Sequence, residues 1–319
     1  MIQIANLTKR FGTFVAVDKV SLDVQTGEAV ALLGPNGSGK TTTLKCLTGL
    51  ARPDGGSVLV GGIDVARHPK QARALLSFLP QRVAFDDNLT ALEVLQFYCR
   101  LRKLPPDRID GVLQALDLEA VKHEPVGQFS GGMVQRLGVA VALLPDAPVL
   151  VLDEPAASLD PEGAAAFREL IRGVKQRGRT VLFSTHVLSD VDLLADRAAI
   201  LVSGKLVAVE SVEALRGGLA AGARLRIALR HADERFARVA VLAGASEAEL
   251  AGPTLWVNCR PEQRLAILRA IEAAGGAIER FFTAEPSLEE IYLRYVNATC
   301  AGPAPADLVG LREAVPEAG

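Results

Sequence analysis

A glycine-rich loop follows a short apolar run, Ala29–Leu33, and limits the possible folds more than any other pattern in the sequence. The loop fits the pattern GxxxxGK[ST] and consists of Gly34, Pro35, Asn36, Gly37, Ser38, Gly39, Lys40 and Thr41. Glycines let successive backbone N–H groups face phosphate oxygens, and a helix that starts near Lys40 adds the positive end of its dipole. In such a loop Lys40 bridges the β- and γ-phosphates and Thr41 ligates Mg²⁺. The plainer alternative is a glycine-rich turn, but the strand before it and the helix after it favour a phosphate-binding loop.

Two carboxylates follow a second apolar run. Residues Val149–Leu152 lead directly into Asp153 and Glu154. Ligands of open α/β sheets bind at the carboxyl ends of the strands. In that position Asp153 can hold Mg²⁺ and Glu154 can polarise an attacking water. On its own, an acidic pair at a strand end is only the start of a loop, so this interpretation depends on the phosphate loop lying at the same edge.

A histidine and a second helix start extend the pattern. The run Thr180–Ser184 ends just before His186. If these strands are parallel neighbours, loop, carboxylates and imidazole share one edge, and His186 contacts the γ-phosphate instead of being an ordinary turn residue. Ser130, Gly131 and Gly132 precede a helical pattern and form another helix start able to receive an anion, although Ser130 alone is an ordinary N-cap. Two anion sites in one chain make sense if the phosphate loop binds a nucleotide and the start of this second helix contacts the nucleotide bound by a second copy.

Composition narrows the class of protein. The chain has 319 residues, 49% of them hydrophobic, and a formal net charge of -2, which does not point to nucleic acid as a partner. The four cysteines are far apart in the sequence and are expected to be reduced thiols. No apolar run reaches the ~18 to 20 residues needed to span a bilayer. If the protein moves solutes, another chain is expected to supply the pore.

Changes in the pattern of apolar and polar residues along the chain predict its domain organisation. Strand-like runs alternate with helical patterns over residues 1–216, which predicts an α/β domain with a mostly parallel sheet and a helical insert at about 82–129. Residues 217–222 are glycine-rich and predict a linker. Strand and helix patterns alternate again over 223–298, as in a small α/β accessory domain. Residues 299–319 lack the apolar content to pack and are expected to be a disordered tail.

In this order and at these separations, the motifs resemble those of the ABC (ATP-binding cassette) ATPase family over residues 1 to about 215. The resemblance implies a P-loop ABC ATPase domain that uses ATP and Mg²⁺. It places Gln81 at the position that touches the metal and faces the membrane subunit, and Phe11 where an aromatic ring stacks on adenine. The family more often has Tyr at that position, and the alternative for Phe11 is an ordinary core residue.

The resemblance also assigns the remaining motifs. Residues 129–133 match the signature motif, usually LSGGQ, with Met133 in place of Gln. Asp160 belongs to the D-loop, in which Ala157 stands where Ser is common. The implied catalytic residues are Lys40, Glu154 and His186. The implied metal ligands are Thr41, Gln81 and Asp153. The implied ATP-binding residues are Phe11, Gln81 and the loop from Gly34 to Thr42, and those that grip the opposite subunit's ATP are Ser130, Gly131, Gly132 and Met133.

A single cassette of this length resembles the ATPase subunits of exporter-type systems. The segment 285–292, Glu-Pro-Ser-Leu-Glu-Glu-Ile-Tyr, is similar to a closing element common at the end of such subunits. The resemblance implies a homodimer, integral membrane permease subunits as partners, and a peripheral location at the cytoplasmic face of the plasma (inner) membrane. A soluble ABC ATPase that acts on DNA or ribosomes shares every nucleotide motif and stays the main alternative. A P-loop kinase is a weaker one, because it leaves Ser130-Gly131-Gly132 without a purpose.

Overall fold

The structure of the protein is a computed structural model that describes residues 1–215 and 224–284. It divides into two compact units, Met1–Val212 and a second unit that begins at Glu213. The predicted linker at 217–222, the segment 285–292 and the predicted tail at 299–319 lie outside the described residues. Within the described residues, no helix is long and apolar enough to cross a membrane.

The first unit alternates strands and helices. Its strands are β1 (Ile2–Phe11), β2 (Phe14–Val24), β3 (Ala29–Leu33), β4 (Gly55–Val60), β5 (Ile63–Asp64), β6 (Leu76–Leu79), β7 (Val149–Asp153), β8 (Thr180–Thr185), β9 (Arg197–Val202) and β10 (Lys205–Ser211). Its helices are α1 (Lys40–Leu47), α2 (Pro69–Ala74), α3 (Ala91–Arg102), α4 (Arg108–Ala115), α5 (Gly131–Leu143), α6 (Pro161–Gln176) and α7 (Leu188–Leu194).

A six-stranded sheet with the order β10-β9-β3-β8-β7-β6 forms the centre of this unit. Strands β3, β6, β7, β8 and β9 run parallel, and only the edge strand β10 is antiparallel. Every residue of β3, β7 and β8 is buried, because other elements cover both faces of the central sheet. The predicted α/β class with a mostly parallel sheet, and the parallel pairing of β3, β8 and β7, are confirmed.

A second, antiparallel sheet has the order β2-β1-β4-β5. Its inward residues share one core with α1 and the central strands, and Ile2, Leu7, Val30 and Leu44 are fully buried in that core. Helix α1 is therefore held on apolar surface along its length, which fixes the position of its first residue, Lys40.

Residues 82–129 contain α3, α4 and two short 3₁₀ turns, at Glu119–Val121 and Val126–Gln128. Helix α3 begins with a capping box, in which Thr90 accepts a hydrogen bond from the Glu93 N–H and the Glu93 carboxylate accepts one from the Thr90 N–H. This reciprocal pair satisfies two N–H groups that a helix start otherwise leaves without partners.

The second unit has the element order β11 (Arg224–Leu229), α8 (Arg235–Leu242), β12 (Glu247–Ala251), β13 (Thr254–Asn258), a 3₁₀ turn (Pro261–Gln263), α9 (Arg264–Ala273) and β14 (Ile278–Ala284). The sheet order is β12-β13-β11-β14, and every pairing is antiparallel. This is the βαββαβ arrangement of ferredoxin-like folds. Sequence reasoning did not find β12, because Glu247–Ala251 is rich in Ala and Glu, which are depleted in strands.

Candidate active site

Three strands bring the predicted chemical groups to one edge of the central sheet. In the parallel registers, Leu33 of β3 pairs with Thr185 of β8, and Asp153 of β7 pairs with Ser184 of β8. The glycine-rich loop, the two carboxylates and the imidazole follow directly from these three strand ends. The site therefore lies at the carboxyl edge of the sheet, where ligands of open α/β sheets bind.

The backbone of the loop demands glycine at two positions. Gly39 has φ +102°, and a Cβ atom there would lie 2.5 Å from the Ala16 carbonyl oxygen. A Cβ atom on Gly34 would lie 2.3 Å from the Leu201 carbonyl oxygen. Pro35, Asn36 and Gly37 form the exposed tip of the loop, whereas Thr42 is half-buried in the first turn of α1. The loop is thus pressed against its own sheet on one side and open on the other.

Lys40 is only 4% exposed, and its ammonium group is held by the loop itself. Its Nζ donates hydrogen bonds to the carbonyl oxygens of Gly34, at 2.7 Å, and Pro35, at 3.2 Å. It also lies 3.4 Å from Oε1 of Glu154. A buried charge needs such partners to offset the loss of hydration. Lys40 is therefore positioned as a fixed positive charge at the base of the loop.

The Glu154 carboxylate is the centre of the site. It is 8% exposed and is contacted by three side chains from different elements. Besides Lys40, Nε2 of Gln81 donates to Oε2 at 3.3 Å, and Nδ1 of His186 lies 3.4 Å from Oε2. The structure thus brings three of the predicted residues around the carboxylate of a fourth.

Asp153 is held from two sides. The Thr41 hydroxyl lies 3.1 Å from Oδ1, and the Ser184 hydroxyl donates to the same oxygen at 2.6 Å. Ser184 also accepts a hydrogen bond of 2.8 Å from the backbone N–H of Glu154. Glu154 itself has φ +47°, a left-handed conformation that costs a non-glycine residue about 1–3 kcal/mol. The fully buried Ser184 hydroxyl therefore fixes both the aspartate carboxylate and the strained backbone of the glutamate.

Sequence reasoning missed Ser184, although a signal existed. Ser184 and Thr185 are polar residues at the end of a strand whose other side chains are mostly apolar, and both are buried. A buried hydroxyl normally has a hydrogen-bond partner, so its presence beside predicted carboxylates was informative.

The donor set fits a nucleotide with a hard divalent cation. The Thr41 hydroxyl and the Asp153 carboxylate, 3.1 Å apart, are oxygen ligands of the kind that Mg²⁺ prefers, and Lys40 supplies positive charge for phosphates. The Ser38 hydroxyl is buried in the loop and has no hydrogen-bond partner among the described residues. A loop with a polar atom left without a partner is consistent with a polar ligand at this position.

Phe11, predicted to stack on adenine, lies at the end of β1 and pairs with Phe14 across the hairpin. Its side chain is 57% exposed, so it is not a core residue. The ammonium group of Lys9 lies 5.4 Å from the centre of its ring. An exposed aromatic face on an ordered strand is available to stack on a planar ligand.

The signature residues form the start of α5 and lie apart from this cluster. The exposed Ser130 caps the helix by accepting a hydrogen bond of 3.3 Å from the Met133 N–H. Among the described residues, no hydrogen bond or ion pair joins Ser130, Gly131 or Gly132 to the residues around Glu154. The 13-residue helix therefore presents its N-terminus, the positive end of its dipole, outward.

A second contact missed by sequence reasoning connects α5 to the carboxylate loop. Gln135, one turn after the glycines, is 4% exposed, and its Nε2 donates a 3.0 Å hydrogen bond to the carbonyl oxygen of Pro155. Pro155 directly follows Glu154. The helix that begins with the signature residues is thus hydrogen-bonded to the segment that carries the catalytic candidate.

Asp160 of the predicted D-loop caps α6. Its carboxylate accepts a 2.8 Å hydrogen bond from the Gly163 N–H, and Pro161 occupies the first helical position. The Asp160 carboxylate therefore satisfies one of the backbone N–H groups at the start of α6.

Beneath the loop, α1 carries a buried thiol. Cys46 is fully buried, and burial raises its pKa to about 11. Cys99 and Cys259 are likewise buried free thiols with raised pKa values, again chiefly because of burial. These thiols are therefore neutral near pH 7.

Comparison with known proteins places this geometry in a family. Residues 17–157 match the model of the ABC transporter family. Daunorubicin resistance ATP-binding protein DrrA3 of Streptomyces coeruleorubidus is 35% identical, over 89% of this chain and 92% of that protein. Nod factor export ATP-binding protein I of Ralstonia nicotianae is 33% identical, over 92% of this chain and 93% of that protein.

A solved structure agrees in fold. It is a dimeric ATP-binding cassette in a post-hydrolysis state bound to ADP and Pi, with a TM-score of 0.62 and 26% identity over 66% of this chain and 99% of that chain. The matched sequence, the shared fold and the arrangement around Lys40, Asp153 and Glu154 lead to one conclusion: the chain belongs to the ABC transporter family, as one of its ATP-binding, ATP-hydrolysing subunits.

Proposed function

We propose that this subunit is the motor of an exporter, and that it works as a head-to-tail homodimer around two MgATP molecules. The observation that carries the proposal is the convergence of Lys40, Gln81 and His186 on the Glu154 carboxylate. Two relatives support the exporter class, since one is named for daunorubicin resistance and the other for Nod factor export. The dimeric cassette bound to ADP and Pi supports the dimer.

In this proposal the chain's residues divide the work of hydrolysis. Lys40 and the loop N–H groups hold the β- and γ-phosphates, and Phe11 stacks on the adenine. Thr41, Asp153 and Gln81 hold Mg²⁺, which neutralises charge on the phosphate oxygens when bound. Glu154 polarises a water for attack on the γ-phosphorus, and the bond to ADP breaks. His186 orients the Glu154 carboxylate and contacts the γ-phosphate.

The outward-facing start of α5 completes the site of a second copy. Ser130, Gly131 and Gly132 of one subunit cap the γ-phosphate held by the other, where helix N–H groups and the dipole favour negative charge. Met133 contributes to the same motif, and Asp160 positions the D-loop at the dimer contact. Because each nucleotide touches both copies, ATP closes the pair and hydrolysis releases it.

The partners that receive this motion are integral membrane permease subunits, and they hold the chain at the cytoplasmic face of the plasma membrane. A groove of about 270 Å³ between β6 and the helices α3 and α5 fits this role. Its lining includes Pro80, the residue before Gln81, together with Phe85, Tyr98 and Leu101. Leu101 is 63% exposed, so an apolar docking surface adjoins a residue that contacts the active-site carboxylate.

Trapping the closed dimer tests the proposal. Glu154→Gln keeps the shape of the side chain but removes the base, so ATP should still bind while hydrolysis falls by about 10²- to 10⁴-fold. The variant should accumulate as an ATP-bound dimer in size-exclusion chromatography with light scattering. Adding Ser130→Ala should dissociate it, and Lys40→Ala, which removes the phosphate-binding charge, should never form it.

Two results would contradict the proposal. One is full ATPase activity in Glu154→Gln. The other is a Glu154→Gln variant that stays monomeric with saturating MgATP both alone and in complex with its membrane subunits.

A further inference from the structure

The sheet of the second unit has one face covered by helices. Leu225, Ile227, Leu255 and Val257 point to this face and are buried together with Phe236 of α8 and Ile267 of α9. Among the described residues of the second unit, no element covers the other face of the sheet.

A row of four side chains crosses this open face from one edge of the sheet to the other. In the pairing register, Glu249 of β12 lies beside Trp256 of β13, Trp256 beside Arg226 of β11, and Arg226 beside Phe282 of β14. The Arg226 guanidinium lies 5.2 Å from the Trp256 ring and 5.0 Å from the Phe282 ring. Its buried Nε has no hydrogen-bond partner in the described chain. The centre of the face is therefore an aromatic and guanidinium platform.

Charge is distributed unevenly on the two edges of the face. Glu249, on the edge strand β12, is exposed and has no ion-pair partner among the described residues. Arg280, which pairs with Ala228 and so lies on this face next to the row, is on the opposite edge strand β14. Arg280 is also exposed and without an ion-pair partner in the described part of the chain. One edge is thus acidic, and the other edge is basic.

We propose that the open face is a contact surface for the same face of a second copy of this chain. Two sheets that pack face to face about a two-fold axis parallel to their strands reverse the strand order. The acidic β12 edge of each copy then lies over the basic β14 edge of the other. Trp256 then lies over Arg226 of the second copy and Glu249 lies over its Phe282. The Arg280 side chain, two residues or about 7 Å further along the same edge strand, reaches Glu249 from there. The alternative axis, perpendicular to the strands, places acid over acid.

The area of the face sets the strength of the contact. Four strands about 5 Å apart and five residues long make a surface of about 20 by 17 Å. That is less than half of the ~800 Å² per partner in a standard stable interface. The contact is therefore weak by itself, with a dissociation constant of about 10 µM to 1 mM. It also strengthens any dimer that another part of the chain forms, because the two open faces are then held close together at a high effective concentration.

Sedimentation equilibrium of the full chain without nucleotide tests the proposal independently of ATP-driven dimerisation. Glu249→Arg and Arg280→Glu should each weaken self-association by about tenfold or more, because like charges then face each other at two symmetry-related places. Combining both changes should restore association to within about threefold of wild type. Glu272→Arg and Arg269→Glu, exposed charges on α9, are matched controls that should leave it unchanged.

The chain contains one tryptophan, so Trp256 reports on the face directly. Its emission should shift to shorter wavelength as concentration rises through the association range, and not in the single charge-reversal variants. A nucleotide-free chain that stays monomeric to 1 mM overturns the proposal, as does a double variant as weak as the single ones. An emission that is independent of concentration but changes when residues 285–319 are removed would assign the face to the chain's own C-terminal segment, and would equally overturn it.

Discussion

Replacing Ser184 by Ala should both destabilise the first unit and slow ATP hydrolysis. The hydroxyl makes two buried hydrogen bonds, one to the Asp153 carboxylate at 2.6 Å and one from the Glu154 N–H at 2.8 Å. A bond to a charged group contributes roughly 1.5–3 kcal/mol, and a neutral one about 1 kcal/mol. We therefore expect the free energy of unfolding to fall by about 2–4 kcal/mol.

The chain offers a matched control for this change. Ser77, on the edge strand β6 of the same sheet, is also buried, but its hydroxyl has no hydrogen-bond partner among the described residues. Ser77→Ala removes a buried polar group without breaking a bond. Its stability should be unchanged or higher by up to about 1 kcal/mol.

Measuring ATPase activity distinguishes a role of the Ser184 hydroxyl in positioning the carboxylates from a role in stability alone. Without the Ser184 hydroxyl, Asp153 is held only by Thr41, and the left-handed backbone at Glu154 can relax. We expect kcat to fall about 10- to 100-fold at a temperature where the variant is fully folded, with a higher Mg²⁺ requirement. Urea unfolding followed by circular dichroism and a phosphate-release assay measure the two effects. If Ser184→Ala and Ser77→Ala match in both assays, the hydroxyl does not organise the carboxylates.

Two further predictions use other parts of the first unit. Phe11→Ala should weaken ATP binding about tenfold or more in a fluorescent-nucleotide titration, since base stacking contributes ~1–3 kcal/mol. Phe14 lies on the same hairpin and is similarly exposed, so Phe14→Ala is the control and should leave ATP binding unchanged. Equal effects of the two changes would show that Phe11 is not part of the ATP site. The stability of the wild type relative to Cys46→Ala should fall as pH rises from about 9 towards 11, because the pKa of Cys46 is raised to about 11 when folded and the thiol ionises earlier when unfolded. The full difference is about 3 kcal/mol for a shift of about two pH units, and parallel curves in urea unfolding would show that Cys46 does not titrate differently in the two states.

The sequence predicted the central sheet and its chemical edge because both follow from local patterns. Continuous apolar runs such as Val149–Leu152 predict buried parallel strands, and the residues that follow each run must emerge at one edge. The convergence on Glu154 followed from that topology. By contrast, the βαββαβ order of the second unit was only partly predicted, since β12 has the composition of a helix or loop and pairs only through its contact with β13.

Residues that act through another side chain were the hardest to find. Ser184 and Gln135 belong to no motif, and each matters because of a partner 20 or more residues away in the chain. The residues next to Ser184 or Gln135 in the sequence give no indication of which residue it bonds to. Phe11 shows the reverse case, where the family pattern singled out a position that composition alone would assign to the core.

The hydrogen bond from Gln135 to Pro155 has a consequence for communication between subunits. In the proposed dimer, the start of α5 senses the nucleotide of one copy, while Pro155 adjoins the catalytic glutamate of its own. A shift of α5 that keeps this bond must move the backbone next to Glu154. Occupancy of one site therefore biases the geometry of the other, and thermodynamic linkage makes the bias mutual. If the dimer forms as proposed, Gln135 couples the two ATP sites, and loss of its amide should make ATP binding at one site independent of ATP at the other.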